Sequence, residues 1–272
     1  MSLKIVTWNI NSVRLRIGQV TRLLELWQPD VLCLQETKCP QGQFPSAPLK
    51  EMGYTHIAEA GQKGYHGVAI VSRIPFAGQD VRQFCAKDDC RHIAVSLAMP
   101  KPVTIHNLYV PAGGDEPDPE INPRFAHKLD FLERMTRYFE GRAKEDVPMV
   151  LVGDFNIAPH EHDVWSHKQL LKVVSHTPVE TEGLIAMRDA GNFLDVAREL
   201  VPEDEKLYTW WSYRSRDYRE SNRGRRLDHI WVSPALKEAA LSNGRGAFTI
   251  WDAERGREKP SDHVPVTLTL RL

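Results

Sequence analysis

No apolar run in this chain of 272 residues approaches the ~20 residues a membrane-spanning helix needs, which argues against a membrane protein. Charge of one sign is not in excess. There are 35 Lys+Arg against 36 Asp+Glu, a formal net charge of −1, so any face that binds a polyanion must be local. Cysteine is scarce: Cys33, Cys39, Cys85 and Cys90 show neither CxxC spacing nor a pairing pattern. They read as the reduced thiols of a cytoplasmic protein. The opening MSLKIVTWNIN enters a strand-like run at once and has no apolar leader with a cleavage site. Nucleotide-cradling and esterase signatures are missing too, with no Walker A loop, no GxGxxG after a strand and no GxSxG. Gly61, Gly64 and Gly67 have the wrong spacing for a phosphate loop and read as a turn before a strand.

With 42% hydrophobic residues the chain can bury a sizeable core. Short apolar runs at 3–10, 31–34, 68–71, 93–97, 103–110, 149–152, 227–232 and 264–270 have strand length. Several do not alternate, as expected of strands covered on both faces. Helical patterns lie between them. One spans 15–27, ending before Pro29, and a second follows Pro123, with Phe125, Leu129, Leu132, Met135 and Phe139 at three- and four-residue steps. A third covers 182–190, closed by Gly191. The most loop-like stretches are 111–119, 160–167 and 212–224. Mixed strands and helices predict a layered α/β protein, and with no linker between unlike halves residues 1–272 read as one domain.

Polar residues cluster where the apolar runs begin or end. Glu36 follows Val31-Leu-Cys-Leu-Gln, and Asp154 and Asn156 follow Met149-Val-Leu-Val-Gly. Asn9 and Asn11 close the first run and Tyr109 closes the fifth; Asp228 opens the run His229-Ile-Trp-Val, and Ser261-Asp262-His263 precedes the last. Strand ends in α/β folds are rigid platforms for active-site groups. Four carboxylates, an imidazole, amides and a tyrosine suit phosphodiester hydrolysis, which needs a hard cation on oxygen ligands, an activated water and donors for the phosphate. Taken singly, Asp154 and Asn156 suit a turn or helix cap, and Asp228 beside Arg225-Arg226 suits an ordinary ion pair. Their joint occurrence at six strand ends favours a site.

At these residues the sequence resembles the exonuclease III family of abasic-site endonucleases, within the endonuclease/exonuclease/phosphatase superfamily. The motifs are WNIN (8–11), LQETK (34–38), NLYVP (107–111), GDFN (153–156), NRGRRLDHI (222–230) and PSDHVPV (260–266), in the family's order across nearly the whole chain. The resemblance implies a four-layer α/β sandwich, with two mixed sheets face to face and helices outside. It implies a DNA repair phosphodiesterase that cuts 5′ to abasic sites in duplex DNA and trims or cleans 3′ ends, as a cytoplasmic monomer. It implies Mg2+, with Mn2+ as substitute, at a site drawn from Asn9, Glu36, Asp154, Asn156, Asp262 and His263. Tyr109, Asp154, Asn156, Asp228 and His263 resemble the catalytic set, with Asp154 handling a proton and His263 paired to Asp228. Trp210 resembles the wall of a pocket for an extruded abasic sugar. Where the family usually carries an amide after Tyr-Val-Pro, this chain has Ala112.

Between Lys206 and Arg226 seven basic residues interleave with five aromatics, the composition that backbone binding and unstacked sugars require. Arg216, Arg219 and Arg223 are the expected phosphate contacts. His160, His162 and His167 could suggest zinc, but a solvated loop on the DNA-facing rim is the preferred reading. Two other functions fit parts of the pattern: a phosphatase on inositol lipids or small phosphoesters, and a nucleic-acid-binding regulator that has lost catalysis. The Arg- and Trp-rich segment favours DNA over the first, and the intact acid, amide and imidazole set opposes the second.

Overall fold

The computed structural model describes residues 1–215 and 217–272. The non-alternating runs become interior strands. Residues Val31–Gln35 and Val68–Ser72 are buried at every position, because a second sheet covers one face and helices cover the other. The first sheet holds β1 (Ser2–Asn9), β2 (Val31–Gln35), β3 (His56–Ala60), β4 (Val68–Ser72), β13 (Phe248–Ile250) and β14 (Val266–Arg271), in the order β13-β14-β1-β2-β4-β3. The second holds β5 (Phe76–Asp80), β6 (His92–Leu97), β7 (Thr104–Tyr109), β8 (Met149–Asp154), β9 (Leu194–Asp195) and β12 (Asp228–Val232), in the order β5-β6-β7-β8-β12-β9. A short ribbon pairs β10 (Trp210–Trp211) with β11 (Gly224–Arg225).

Each sheet centres on a parallel pair joined by a helical crossover. Val13–Trp27 links β1 to β2, and Pro123–Arg142 links β7 to β8. Antiparallel strands flank each pair, so both sheets are mixed, as expected. Leu3, Ile5, Val31 and Ile70 of one sheet meet Val95, Ile105, Val150 and Ile230 of the other in a fully buried central layer. Outside it, Val20, Leu23 and Leu24 cover the first sheet. Phe131, Met135, Phe139, Leu184 and Met187 cover the second. The result is a four-layer sandwich.

The helix expected over 182–190 begins earlier, at Pro178, where Thr177 and Glu180 form a capping box. The loop stretches are also less irregular than the sequence suggests. The 160–167 stretch holds a short turn at Glu161–Asp163, and 212–224 holds a single helical turn at Tyr218–Ser221.

Candidate active site

The topology determines where the polar residues meet. Parallel β1 and β2, and parallel β7 and β8, present their C-terminal ends at one edge of the sandwich. Antiparallel β12 and β14 present their N-terminal ends at that same edge. Asn9, Glu36, Tyr109, Asp154, Asn156, Asp228 and the 261–263 segment therefore converge although they are up to 254 residues apart. Asp228 lies directly opposite Asp154 in the β8–β12 ladder, and Tyr109 lies beside Asp154 across β7–β8.

Tight backbone makes this convergence possible. At Gly153 φ is +141°, and a Cβ there would lie 1.9 Å from the Leu108 carbonyl oxygen, so only glycine lets β8 deliver Asp154 beside β7. Glu36 and Asn156 both adopt left-handed φ, +52° and +53°, turning the chain just past the strands. Such conformations cost of order 1–3 kcal/mol each and persist where the surroundings over-determine them. For Asn156 the surroundings are visible. Its backbone N–H donates to Asp154 Oδ1 at 2.9 Å, and its carbonyl accepts from the buried Lys128 Nζ at 2.8 Å.

Asn9 is the bridge between the two halves. Its Nδ2 donates to Glu36 Oε2 at 3.1 Å and to Asp154 Oδ2 at 2.9 Å, while its Oδ1 accepts from the Asn11 N–H at 3.0 Å. Tyr109 Oη donates to the same Glu36 Oε2 at 3.0 Å. Burial, then the charges of Glu36 and Asp154, push the Tyr109 hydroxyl well above its ordinary range, so it remains a donor. Asn156 Nδ2 donates to Asp154 Oδ2 at 3.1 Å and to the Val110 carbonyl at 2.8 Å.

His263 Nδ1 meets Asp228 Oδ2 at 2.8 Å, and its Nε2 lies 3.6 Å from Asp154 Oδ2, too far for a direct hydrogen bond. Burial opposes a charge on this imidazole, but the carboxylates of Asp228, Asp154 and Asp262 outweigh burial and lift it to about 10. His263 is therefore an imidazolium at neutral pH. Burial raises Asp154 to about 7; Asp228 adds to the rise, and His263, Asn9 and the Asn156 N–H oppose it. Thr209 Oγ1 donates to Asp228 Oδ2 at 2.6 Å, fixing the acid that holds the imidazole.

Asp262 stands on the far side. Its Oδ1 accepts from Asn11 Nδ2 at 3.0 Å and its Oδ2 from Trp210 Nε1 at 2.9 Å. Burial would raise its carboxyl, but His263 and these two donors outweigh burial and hold it below its usual range. Asn11 and Lys38 connect Asp262 to Glu36. Lys38 Nζ lies 2.8 Å from Glu36 Oε1 and 2.7 Å from Asn11 Oδ1, so a cation already fits among these oxygens. That internal ammonium and the hard oxygen donors around it match a divalent cation held by carboxylates. Asp154, Asp228 and His263 also have potential ligand atoms within 4.8 Å of one another. With Asp228 on Nδ1, the charged imidazole directs its Nε2–H toward Asp154, while the carboxylates of this trio remain oxygen donors beside the Glu36 site.

Thr209 and Lys128 had no signal in the sequence and become legible only through contacts that the sheet order creates. Asn11 and Lys38 lay within the WNIN and LQETK motifs, but the link they make between Glu36 and Asp262 appears only in the fold. The adjacent tryptophans divide: Trp211 is buried core, whereas Trp210 stays half-buried at the site edge, tethered to Asp262. Of the basic segment, Arg226 is a correction. It is fully buried between Asp163 and Asp195, pairing with neither Asp228 nor solvent, and cannot serve a DNA face. Arg225 is turned inward onto Val174 O and Ser175 Oγ. Arg219 and Arg223 are exposed, with Arg223 over the Trp165 ring at 4.7 Å. Arg216 lies outside the described residues. His167 Nδ1 bonds His176 Nε2 at 2.8 Å and His176 Nδ1 meets the Ala158 carbonyl at 2.6 Å, a hydrogen-bonded pair rather than a zinc site.

Residues 6–263 match the model of the endonuclease/exonuclease/phosphatase family. The chain is 30% identical to exodeoxyribonuclease III of Haemophilus influenzae, over 97% of this chain and 98% of that protein. A 3′ phosphatase from Neisseria, bound to a product DNA hairpin, superposes with a TM-score of 0.88 at 32% identity, covering 99% of this chain and all of that one (100%). An AP endonuclease from Archaeoglobus fulgidus matches equally, with a TM-score of 0.88 and 32% identity over 99% and 100% of the two chains. With the family's motifs gathered at one edge of the family's sandwich, the chain belongs to the endonuclease/exonuclease/phosphatase family and, within it, to the exonuclease III group.

Proposed function

We propose that this chain is a metal-dependent DNA repair phosphodiesterase that cuts duplex DNA 5′ to abasic sites and removes nucleotides or blocking groups from 3′ ends. The observation that carries this reading is the double bridge at the strand ends. Asn9 ties Glu36 to Asp154, and Asp228 keeps His263 charged beside them. On this reading Glu36 is the principal metal ligand. Asn9 orients it, and Asp262 completes the acidic side with Asn11 and Lys38 between. Mg2+ suits this oxygen set and Mn2+ can substitute; when bound, the ion lowers the pKa of water and offsets charge developing on phosphate.

The rest of the reaction falls to the chain's own side chains. Asp154, poised near neutrality, takes the proton of the attacking water as the oxygen adds to phosphorus, and can return one to the departing 3′ oxygen. His263 donates its Nε2 proton in a charge-assisted hydrogen bond to a non-bridging phosphate oxygen, a donor role in place of the metal-ligand role expected for it. Tyr109 and Asn156 line the same side and restrict where the phosphate can lie. Trp210 forms the apolar wall against an extruded sugar, held by its bond to Asp262. Arg219 and Arg223 contact flanking phosphates, with Arg216 expected to join them. The chain acts as a cytoplasmic monomer, residues 1–272 forming one catalytic unit; no helix among the described residues is long and apolar enough to cross a membrane.

The test is a labelled duplex with one abasic site, incubated beside an intact duplex and an inositol phosphate. Incision should vanish in excess chelator and return with Mg2+ or Mn2+. Full incision in excess chelator, or hydrolysis of the inositol phosphate alone, would overturn the proposal.

A further inference from the structure

Away from the catalytic edge, the connection between β5 and β6 folds against the Pro123–Arg142 helix. There Cys85, Asp89 and His127 bring a sulfur, a carboxylate oxygen and an imidazole nitrogen within 4.8 Å of one another. His127 Nε2 is sequestered from solvent yet has no hydrogen-bond partner. It faces Asp89 Oδ2 at 3.7 Å. An orphaned buried nitrogen is uncommon and calls for an explanation. Burial, then Lys87 and Arg91, depress the His127 imidazole, so its lone pair is free at neutral pH. Asp89 is held ionised: burial opposes the charge, but the hydrogen bond and the charge of Arg91 outweigh it. His66 is nearby but is not a fourth ligand. Its Nδ1 accepts from the Cys90 N–H at 3.2 Å, so Nε2 carries the proton and points it at Asp89 Oδ1, 3.5 Å away.

We propose that Cys85, Asp89 and His127 form a second metal site, for zinc or a similar borderline-soft divalent ion, with the fourth position left to water. Sulfur with imidazole selects zinc over magnesium, whereas the oxygen-only catalytic edge does the reverse. Binding replaces the Cys85 thiol proton, which leaves to solvent, with the metal–sulfur bond, and no oxidant or reductant is required. His66 and Arg91 orient the carboxylate from behind; Arg91 Nε lies 2.8 Å from Asp89 Oδ2. The site's reach is structural. Arg91 caps the Tyr109 ring at 4.9 Å and its carbonyl accepts from the Tyr109 N–H, while Cys90 O accepts from the Gly67 N–H before β4 and His66 O from the Lys38 N–H in the Glu36 loop. A metal here clamps the segment that backs Tyr109 and Glu36.

The experiment is titration of the metal-free full chain with cobalt(II), reading the cobalt–thiolate charge-transfer absorption. The catalytic edge contains no cysteine and cannot give that band. One equivalent should produce it and zinc should bleach it; Cys90→Ser should keep it and Cys85→Ser should lose it. Replacing a residue that orients a ligand commonly weakens metal binding 10–100-fold, so His66→Ala should lower zinc affinity by about that factor. His127→Ala keeps the thiol and should weaken cobalt binding at least as much, which decides the matter if Cys85→Ser does not fold. No band in the wild type, a band that survives in Cys85→Ser, or an unaltered affinity in His127→Ala overturns the proposal.

Discussion

Among single residues, the Asp228–His263 pair is the sharpest case of chemistry made by burial. Asp228 faces Asp154 across one ladder, and between two carboxylates the imidazole stays charged despite being 95% buried. Its raised pKa has a definite sign. The pairing stabilises the fold fully below the unfolded value near 6.5, and that contribution disappears as pH rises through about 10. Replacing either residue should lower turnover on the order of 10²–10⁴-fold with little change in DNA affinity, the range for a positioned acid–base or electrostatic group. Because the two act as a unit, the Asp228→Asn/His263→Ala double variant should be little worse than the worse single, measured by single-turnover cleavage. Multiplying losses would show separate roles. The acids and the imidazole themselves were legible in the sequence because each sits at the end of an apolar run. Thr209, which fixes Asp228, carried no such mark: a threonine before two tryptophans looks like any strand residue until the fold sets its hydroxyl against Asp228 Oδ2.

At the scale of elements, the interior strands were legible for the reason that they are interior. Runs such as 31–34 and 149–152 are apolar on both faces because both faces are covered. The edge strands went unseen for the opposite reason. β5 reads FAGQD and leaves every residue at least partly exposed, so neither period nor hydrophobicity marks it. β3, β9 and β13 are likewise short or polar at the sheet margins. The ties between elements are also hidden. Lys128, fully buried on one helix, meets Glu180 Oε1 of another at 2.5 Å and also holds the Asn156 and Ala112 carbonyls. Breaking a buried pair by removing one partner typically costs 3–5 kcal/mol, because the remaining charge is left uncompensated. Lys128→Met should therefore lose about that much in denaturant unfolding, and Lys128→Met/Glu180→Gln should recover part of the loss. Since Lys128 also supports the left-handed Asn156, the double variant should regain stability more fully than cleavage. Equal recovery of both would mean that Asn156 holds its conformation without this lysine.

For the whole molecule, a formal charge of −1 conceals how the titratable groups are distributed. Three histidines are locked neutral in the core. Burial lowers His92 to about 3 and His229 to about 4, and drives His106 well below its ordinary range. In the unfolded chain all three take up protons as pH falls below about 6.5. The unfolded state then binds more protons than the fold, and stability must fall on acidification. Asp154 works against them: raised to about 7 in the fold, it stays protonated through a window where its unfolded counterpart is ionised. These four groups together give a difference of about two protons near pH 5, or roughly 2.7 kcal/mol per pH unit at 1.36 kcal/mol per proton, and His66, His127, His160 and His176, also depressed chiefly by burial, act in the same direction. Below the ordinary carboxylate range the loss should steepen. Asp163 and Asp195 are buried, which would raise them, but Arg226 outweighs burial and depresses both, so their stabilisation is present above about pH 4 and lost beneath it. Denaturant unfolding of the metal-free chain at intervals between pH 7 and 4.5 tests this, since the m-value should hold while stability falls. His229→Gln removes one of these protons and should lower the slope near pH 5 by about 1.4 kcal/mol per pH unit. An unchanged slope would mean that His229 is already charged in the fold, which its stacking on Phe155 and its full burial beside Arg226 argue against.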